Sequence, residues 1–162
     1  MKRIIVIGSP GSGKSTFSRK LNILTNIPLY HLDLIWHKPD KTNVTKEVFD
    51  KDLFEILKQD SWIIDGNYQR TLIPRIEACD TVCFFDLPTA LCIKGVKKRM
   101  GSPRPDMPWV EEELDPIFME YILNFEKERL PGIYEALKQY PNKNIYIFNN
   151  HIESEQFLKN IK

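Results

Sequence analysis

An α/β fold, with a parallel sheet covered by helices on both faces, is what this sequence predicts, and two observations predict it. Five short apolar runs, RIIVI, IPLYHL, SWIID, TVCFFDL and NIYIF, lack polar alternation, and most are separated by segments with apolar residues at helical spacing. The first run leads into GSPGSGKST, where Gly8, Gly13, Lys14 and Ser15 satisfy G-x-x-x-x-G-K-[ST] between a strand and a helix.

Residues 3–7 form the first expected strand. Gly8, Gly11 and Gly13 permit positive φ, so that successive backbone N–H groups of the loop, with Ser9, Pro10 and Ser12, can surround one anion. The helix expected over 14–24, with Phe17, Leu21 and Leu24 on one face, adds the positive end of its dipole. The Lys14 ammonium then reaches the β- and γ-phosphates of ATP, the Ser15 hydroxyl takes a place on Mg²⁺, and Thr16 adds a phosphate hydrogen bond. A merely flexible turn needs neither the lysine nor the two hydroxyl residues behind it.

The remaining strands end in polar residues: His31 and Asp33 after the second, Asp65-Gly66-Asn67-Tyr68 after the third, Asp86 after the fourth, Asn149 and Asn150 after the fifth. Ligands of a parallel sheet gather at these carboxyl ends. Asp65 and Asp86 both suit a metal–nucleotide site. Gly66 leaves room beside Asp65, whereas Leu87-Pro88 after Asp86 suits a turn that uses the carboxylate as a local cap. His31 is read as packing at its strand end.

Helical patterns cover 46–58, 89–99 and 116–139. Two intervening segments, DLIWHKPDKTNVT and KKRMGSPRPDMPW, are too polar or interrupted for framework, and each is a substrate cover or a surface loop. In the second, Arg99 and Arg104 bracket a Gly-Ser-Pro turn, which favours a lid. Trp62 begins an apolar strand and is expected in the core, while Trp36 and Trp109 flank the two covers and are candidates to stack on a ligand.

Composition narrows the partners. The chain has 162 residues, 42% hydrophobic and 28% charged, as in a soluble globular domain. Its formal net charge of +1 supplies no global field for nucleic acid, so no specific nucleic-acid binding is expected. The apolar run after Met1-Lys2-Arg3 is too short for a signal peptide, and no stretch approaches the ~20 residues of a membrane span. A cytoplasmic protein without membrane contact is expected. Cys79, Cys83 and Cys92, without metal-ligand spacing, read as buried reduced thiols.

With these residues in place, the sequence resembles the adenylate-kinase-like P-loop kinases over nearly its whole length, and looks closest to the small proteins labelled DNA topology modulation proteins. GSPGSGKST is similar to that family's phosphate loop, IIDGNYQR to its third-strand Asp-Gly element, FFDLPTALCIKGVKKR to its fourth strand and lid-bound helix, and ERLPGIYEAL to a segment of shikimate-kinase-like relatives. The resemblance implies a P-loop three-layer sandwich with five parallel strands in the order 2-3-1-4-5. It implies one kinase-like domain over 1–162, with a substrate region at about 33–60 and a short lid at about 99–110. It implies phosphoryl transfer from ATP with Mg²⁺ to a small acceptor. By position, Asp65 is the metal-associated carboxylate beside Ser15, Arg70 contacts phosphate on the substrate, and Arg99 and Arg104 are lid arginines on the nucleotide and moving phosphoryl group. Asp33 matches a carboxylate facing the acceptor hydroxyl, or else is a loop carboxylate. Arg129 matches a substrate-anion contact, or else belongs with Glu126 and Glu128 to a solvated helix face. DGNYQR departs from the Asp-Gly-Phe/Tyr-Pro-Arg run of adenylate kinases, so AMP is not the expected acceptor. The label attached to these relatives also raises a nucleotide-dependent regulator of DNA topology or of a protein partner, with slow NTPase activity.

Overall fold

The computed structural model describes residues 1–161. Strands β1 (Arg3–Gly8), β2 (Leu29–His31), β3 (Trp62–Asp65), β4 (Thr81–Phe85) and β5 (Asn144–Phe148) form one sheet in the order β2-β3-β1-β4-β5. Every pairing is parallel. Among the described residues, eight α-helices accompany them: α1 (Lys14–Thr25), α2 (Leu32–Trp36), α3 (Lys46–Leu57), α4 (Leu72–Ala78), α5 (Thr89–Arg99), α6 (Pro116–Glu128), α7 (Leu130–Lys138) and α8 (His151–Lys159).

Successive side chains on a strand point to opposite faces, and here both faces are covered. Ile5, Ile7, Ile64 and Val82 pack with Phe49, Leu53, Ile76 and Leu137 from α3, α4 and α7. Ile4, Val6, Ile63 and Cys83 pack with Phe17, Leu21, Val96 and Leu158 from α1, α5 and α8. Burial on both faces is why the strand runs carry no polar alternation. The register pairs Val6 with Asp65 and Gly8 with Phe85, so the glycine loop leaves β1 between the ends of β3 and β4. Trp62, Cys83 and Cys92 are fully buried, and all three cysteines are free thiols, as the sequence predicts.

Three expectations are corrected. The pattern over 116–139 is two helices, because Pro131 in the first turn of α7 has no N–H to give and its ring would clash with the carbonyl four residues back. Asp33 lies in the first turn of α2, where the sequence suggested a loop, and α4 and α8 were not marked by the helical patterns. Further along that same segment, His37 and Asn43 form a short antiparallel bridge. Among the described residues, no helix or strand lies between Arg99 and Pro116, and no helix is long and apolar enough to cross a membrane.

Candidate active site

The glycine loop lies directly against α5. A Cβ on Gly11 (φ +78°) would sit 2.0 Å from the Cys92 carbonyl oxygen, and one on Gly95 would sit 2.1 Å from the Gly11 carbonyl oxygen. Only two glycines allow backbone to approach backbone this closely. On the other side, the His151 Nε2–H at the start of α8 donates to the Ser12 carbonyl at 3.0 Å. The Lys14 ammonium donates to the Ser9 carbonyl at 2.8 Å, within the loop's own curvature. Burial lowers its pKa, against the pull of Asp65 and Asp33.

Asp65, buried at the end of β3, meets the loop because β3 neighbours β1. Its Oδ2 accepts from the Ser15 hydroxyl at 2.6 Å and from His31 Nδ1 at 2.8 Å, while Oδ1 is buried without a partner in the chain. Burial would raise its pKa, but the His31 hydrogen bond, the Lys14 charge and the Ser15 hydroxyl prevail and hold it below the usual carboxylate range. An ionised carboxylate with an uncommitted oxygen, next to a hydroxyl, fits Mg²⁺. That ion takes one or two protein oxygens and completes its shell with phosphate and water. Among the described residues no cluster of three or more metal-ligating side chains exists. Asp86 is elsewhere, accepting from the Tyr134 hydroxyl at 2.5 Å.

Across the same cavity, of about 310 Å³, stands Asp33. The Tyr68 hydroxyl donates to its Oδ1 at 2.8 Å. Burial and the neighbouring Asp65 charge raise the Asp33 pKa, outweighing the Tyr68 hydrogen bond and the His37 and Lys14 charges. Burial and Asp33 in turn keep the Tyr68 phenol protonated. Phe118 and Tyr121 from α6 and Asn67 complete this side. Lys14, Ser15, Asp65 and Asp33 thus converge on one space.

The solved structures with similar backbones can now be set beside this arrangement. No family model matches the sequence, and no curated protein matches it. A shikimate kinase from Acinetobacter baumannii in complex with shikimate superposes with a TM-score of 0.62 at 17% identity, covering 99% of this chain and 90% of that one. A shikimate kinase from Bacteroides thetaiotaomicron gives 0.60 at 15% identity, covering 98% and 94%. A sugar kinase from a Janibacter species gives 0.55 at 17% identity, covering 98% and 91%. The fold is that of the P-loop kinases.

Within the P-loop kinase fold, two arginines are placed differently from expectation. Arg70 forms a two-pronged ion pair with Asp50, at 2.7 and 2.9 Å, on an exposed face and away from the cavity lining. Arg129 lies behind the wall, its guanidinium 5.3 Å from the Tyr121 ring centroid and 3.4 Å from Gln69 Oε1. Arg75 is fully buried and donates to the carbonyls of Gly66 (2.8 Å), Tyr68 (2.7 Å) and Thr71 (3.2 Å). It clamps the turn that carries Asn67 and Tyr68. His31 was read as packing, and its bond to Asp65 follows only from strand pairing.

Segment 100–115 is held beside the cavity by ion pairs. Arg104 meets Asp106 at 3.1 Å and Glu111 at 2.8 Å, and Arg99 meets Glu111 at 3.5 Å. Buried Asp106 also meets Arg19 of α1 at 3.4 Å, and Arg19 donates to the Thr16 hydroxyl. Arg99 lines the cavity beside Asp33, and Arg104 lines the space over Gly11, Gly13 and Thr16. Trp109 packs edge-on against His37 at 5.0 Å, so the two polar segments touch, whereas Trp36 packs on Phe49 and Tyr68.

Proposed function

We propose that this chain transfers the γ-phosphoryl group of ATP, with Mg²⁺, to a hydroxyl of a small acceptor. The observation that carries the reading is the convergence of Lys14, the Ser15–Asp65 pair and Asp33 on one cavity. The loop amides and Lys14 hold the β- and γ-phosphates, and Ser15 and Asp65 hold the cation, which neutralises phosphate charge when bound. Asp33 orients the acceptor hydroxyl and takes its proton as the new O–P bond forms and ADP leaves. Its raised pKa suits a base that must release that proton again. Arg99 and Arg104 add positive charge over the moving phosphoryl group once segment 100–115 shifts its carboxylate partners. The kinase fold shared with shikimate and sugar kinases supports this class of chemistry. A near-neutral chain, at net +1, offers a DNA-topology regulator no electrostatic grip, and that label rests on motif likeness alone.

The test is ADP release with Mg-ATP across a panel of nucleosides, nucleoside monophosphates, sugars and hydroxy acids. Acceptor-dependent turnover is expected, falling by about 10²-fold or more in Lys14→Ala, the scale for removing one preorganised charge from a transition state. Turnover indifferent to that substitution would end the reading.

A further inference from the structure

Resting on that kinase reading, we infer that the acceptor is an uncharged, hydroxyl-rich molecule recognised by Asn67, and not a carboxylate or a phosphate ester. The first ground is where the arginines are. An anionic acceptor needs a cation within reach of its charged group. Arg70 is paired with Asp50, Arg75 gives its donors to three backbone carbonyls, and Arg129, beside Gln69 and the Tyr121 face, lies outside the lining. Lys14 belongs to the loop, Arg104 is paired with Asp106 and Glu111, and Arg99 stands 3.5 Å from the same Glu111 with its buried Nε unpartnered. Carboxylates outnumber cations around the cavity that holds Asp33 and Asp65, and around the adjoining one of about 530 Å³ on the far side of Asp33, where Lys41 stands on an exposed rim. A carboxylate or phosphate placed there would meet more carboxylates than cations.

The second ground is Asn67. Its Oδ1 and Nδ2 are both buried, and neither has a partner in the chain, although the residue lines the cavity. A buried amide left unmatched on both sides is costly, and native structures rarely keep one without a purpose. It offers one acceptor and one donor to a ligand. A pair of hydroxyls satisfies that, as does the amide edge of a nucleobase, with Phe118 and Tyr121 supplying an apolar face. Gly66 and the Arg75 clamp hold the amide in place, since Arg75 binds the carbonyls on either side of it.

The test compares matched pairs that differ only in charge: a cyclitol with its monophosphate, a hexose with its uronic acid, a nucleoside with its monophosphate. Calorimetric binding with Mg²⁺ and a non-hydrolysable ATP analogue present runs alongside ADP release. The uncharged member of the best-used pair is expected to bind and react about 100-fold better than the anionic one, and the pair that responds separates sugar from nucleoside. An anionic member that binds as well or better overturns the inference, as does the failure of every uncharged compound to bind at millimolar concentration. Both results differ from failure of the kinase reading, which would show as nucleotide binding indifferent to Lys14→Ala. Asn67→Ala should raise the acceptor KM about 10-fold or more while leaving the ATP KM within about twofold. Asn67→Asp, similar in size but lacking the donor, should do the same. Acceptor KM unmoved in both variants would remove Asn67 from recognition.

Discussion

Asp65 and Asp33 face one cavity from opposite sides, and their surroundings differ in kind. Asp65 is 4% exposed and takes two hydrogen bonds, from Ser15 and His31, beside the Lys14 charge. Asp33 is half-buried and has one hydrogen-bond partner, Tyr68. Environment therefore pushes the two carboxylates apart, Asp65 below the ordinary range and Asp33 above it. Under the proposed function, two similar groups driven in opposite directions would take different jobs, one a permanent anion for a cation and one a group that exchanges protons. The same contrast runs through the frame. The phosphate side is locked by backbone contact between Gly11 and Gly95, whereas the acceptor side is covered by a segment held through ion pairs.

The largest effect should come from Asp33→Asn, which keeps size and removes basicity. Acceptor phosphorylation should fall by roughly 10²-fold or more, with ATP affinity within about twofold. Loss of ATP binding as well would assign Asp33 to the nucleotide side. In the parent, kcat/KM should fall toward acid as Asp33 protonates, with an apparent pKa above that of an ordinary carboxylate, and a pH–rate profile of Asp33→Asn should lack that limb. Stability should respond with the opposite sign. A carboxyl whose folded pKa is raised stabilises the fold at low pH and loses that contribution as pH rises through the folded pKa. Asp33→Asn should therefore raise the melting temperature at neutral pH. Asp65, with its lowered pKa, stabilises above its unfolded pKa and loses that as pH falls, so its replacement should not stabilise at neutral pH.

Next in size is a steric comparison by chemical denaturation. Gly95→Val puts carbon against the Gly11 carbonyl and should cost about 3 kcal/mol, because backbone on both sides must move. Gly101→Ala, at φ +70° with only Glu112 Oε2 at 3.9 Å, should cost about 1 kcal/mol, for backbone conformation alone. Equal costs would mean that the phosphate side is not the stiffer of the two. The smallest effect is expected from Asp106→Asn, which breaks the ion pair to Arg19 and leaves Arg104 paired with Glu111 alone. Hydrogen exchange over 100–115 should quicken without nucleotide, and ATP should bind about threefold more tightly as a carboxylate leaves the phosphate approach. Unchanged exchange would show that these ion pairs do not hold the segment down.

Sequence alone determined the parallel α/β class, the glycine loop with Lys14 and Ser15, the buried thiols and the carboxylates at the ends of strands. Each of these is written in neighbouring residues, as a periodicity or as a backbone requirement that only glycine meets, and such signals survive without knowledge of the rest of the chain. The strand order was legible only through resemblance to P-loop kinases. Tertiary structure decided the partners. Asp65 meets Ser15 and His31, rather than Asp86 doing so, because register sets Val6 beside Asp65 and Asp65 beside His31. Arg70 and Arg75 are only five residues apart, yet one leaves for Asp50 and the other enters the core. No local pattern encodes that choice: a side chain's partner depends on which distant backbone the packing brings within about 3 Å, the reach of a hydrogen bond.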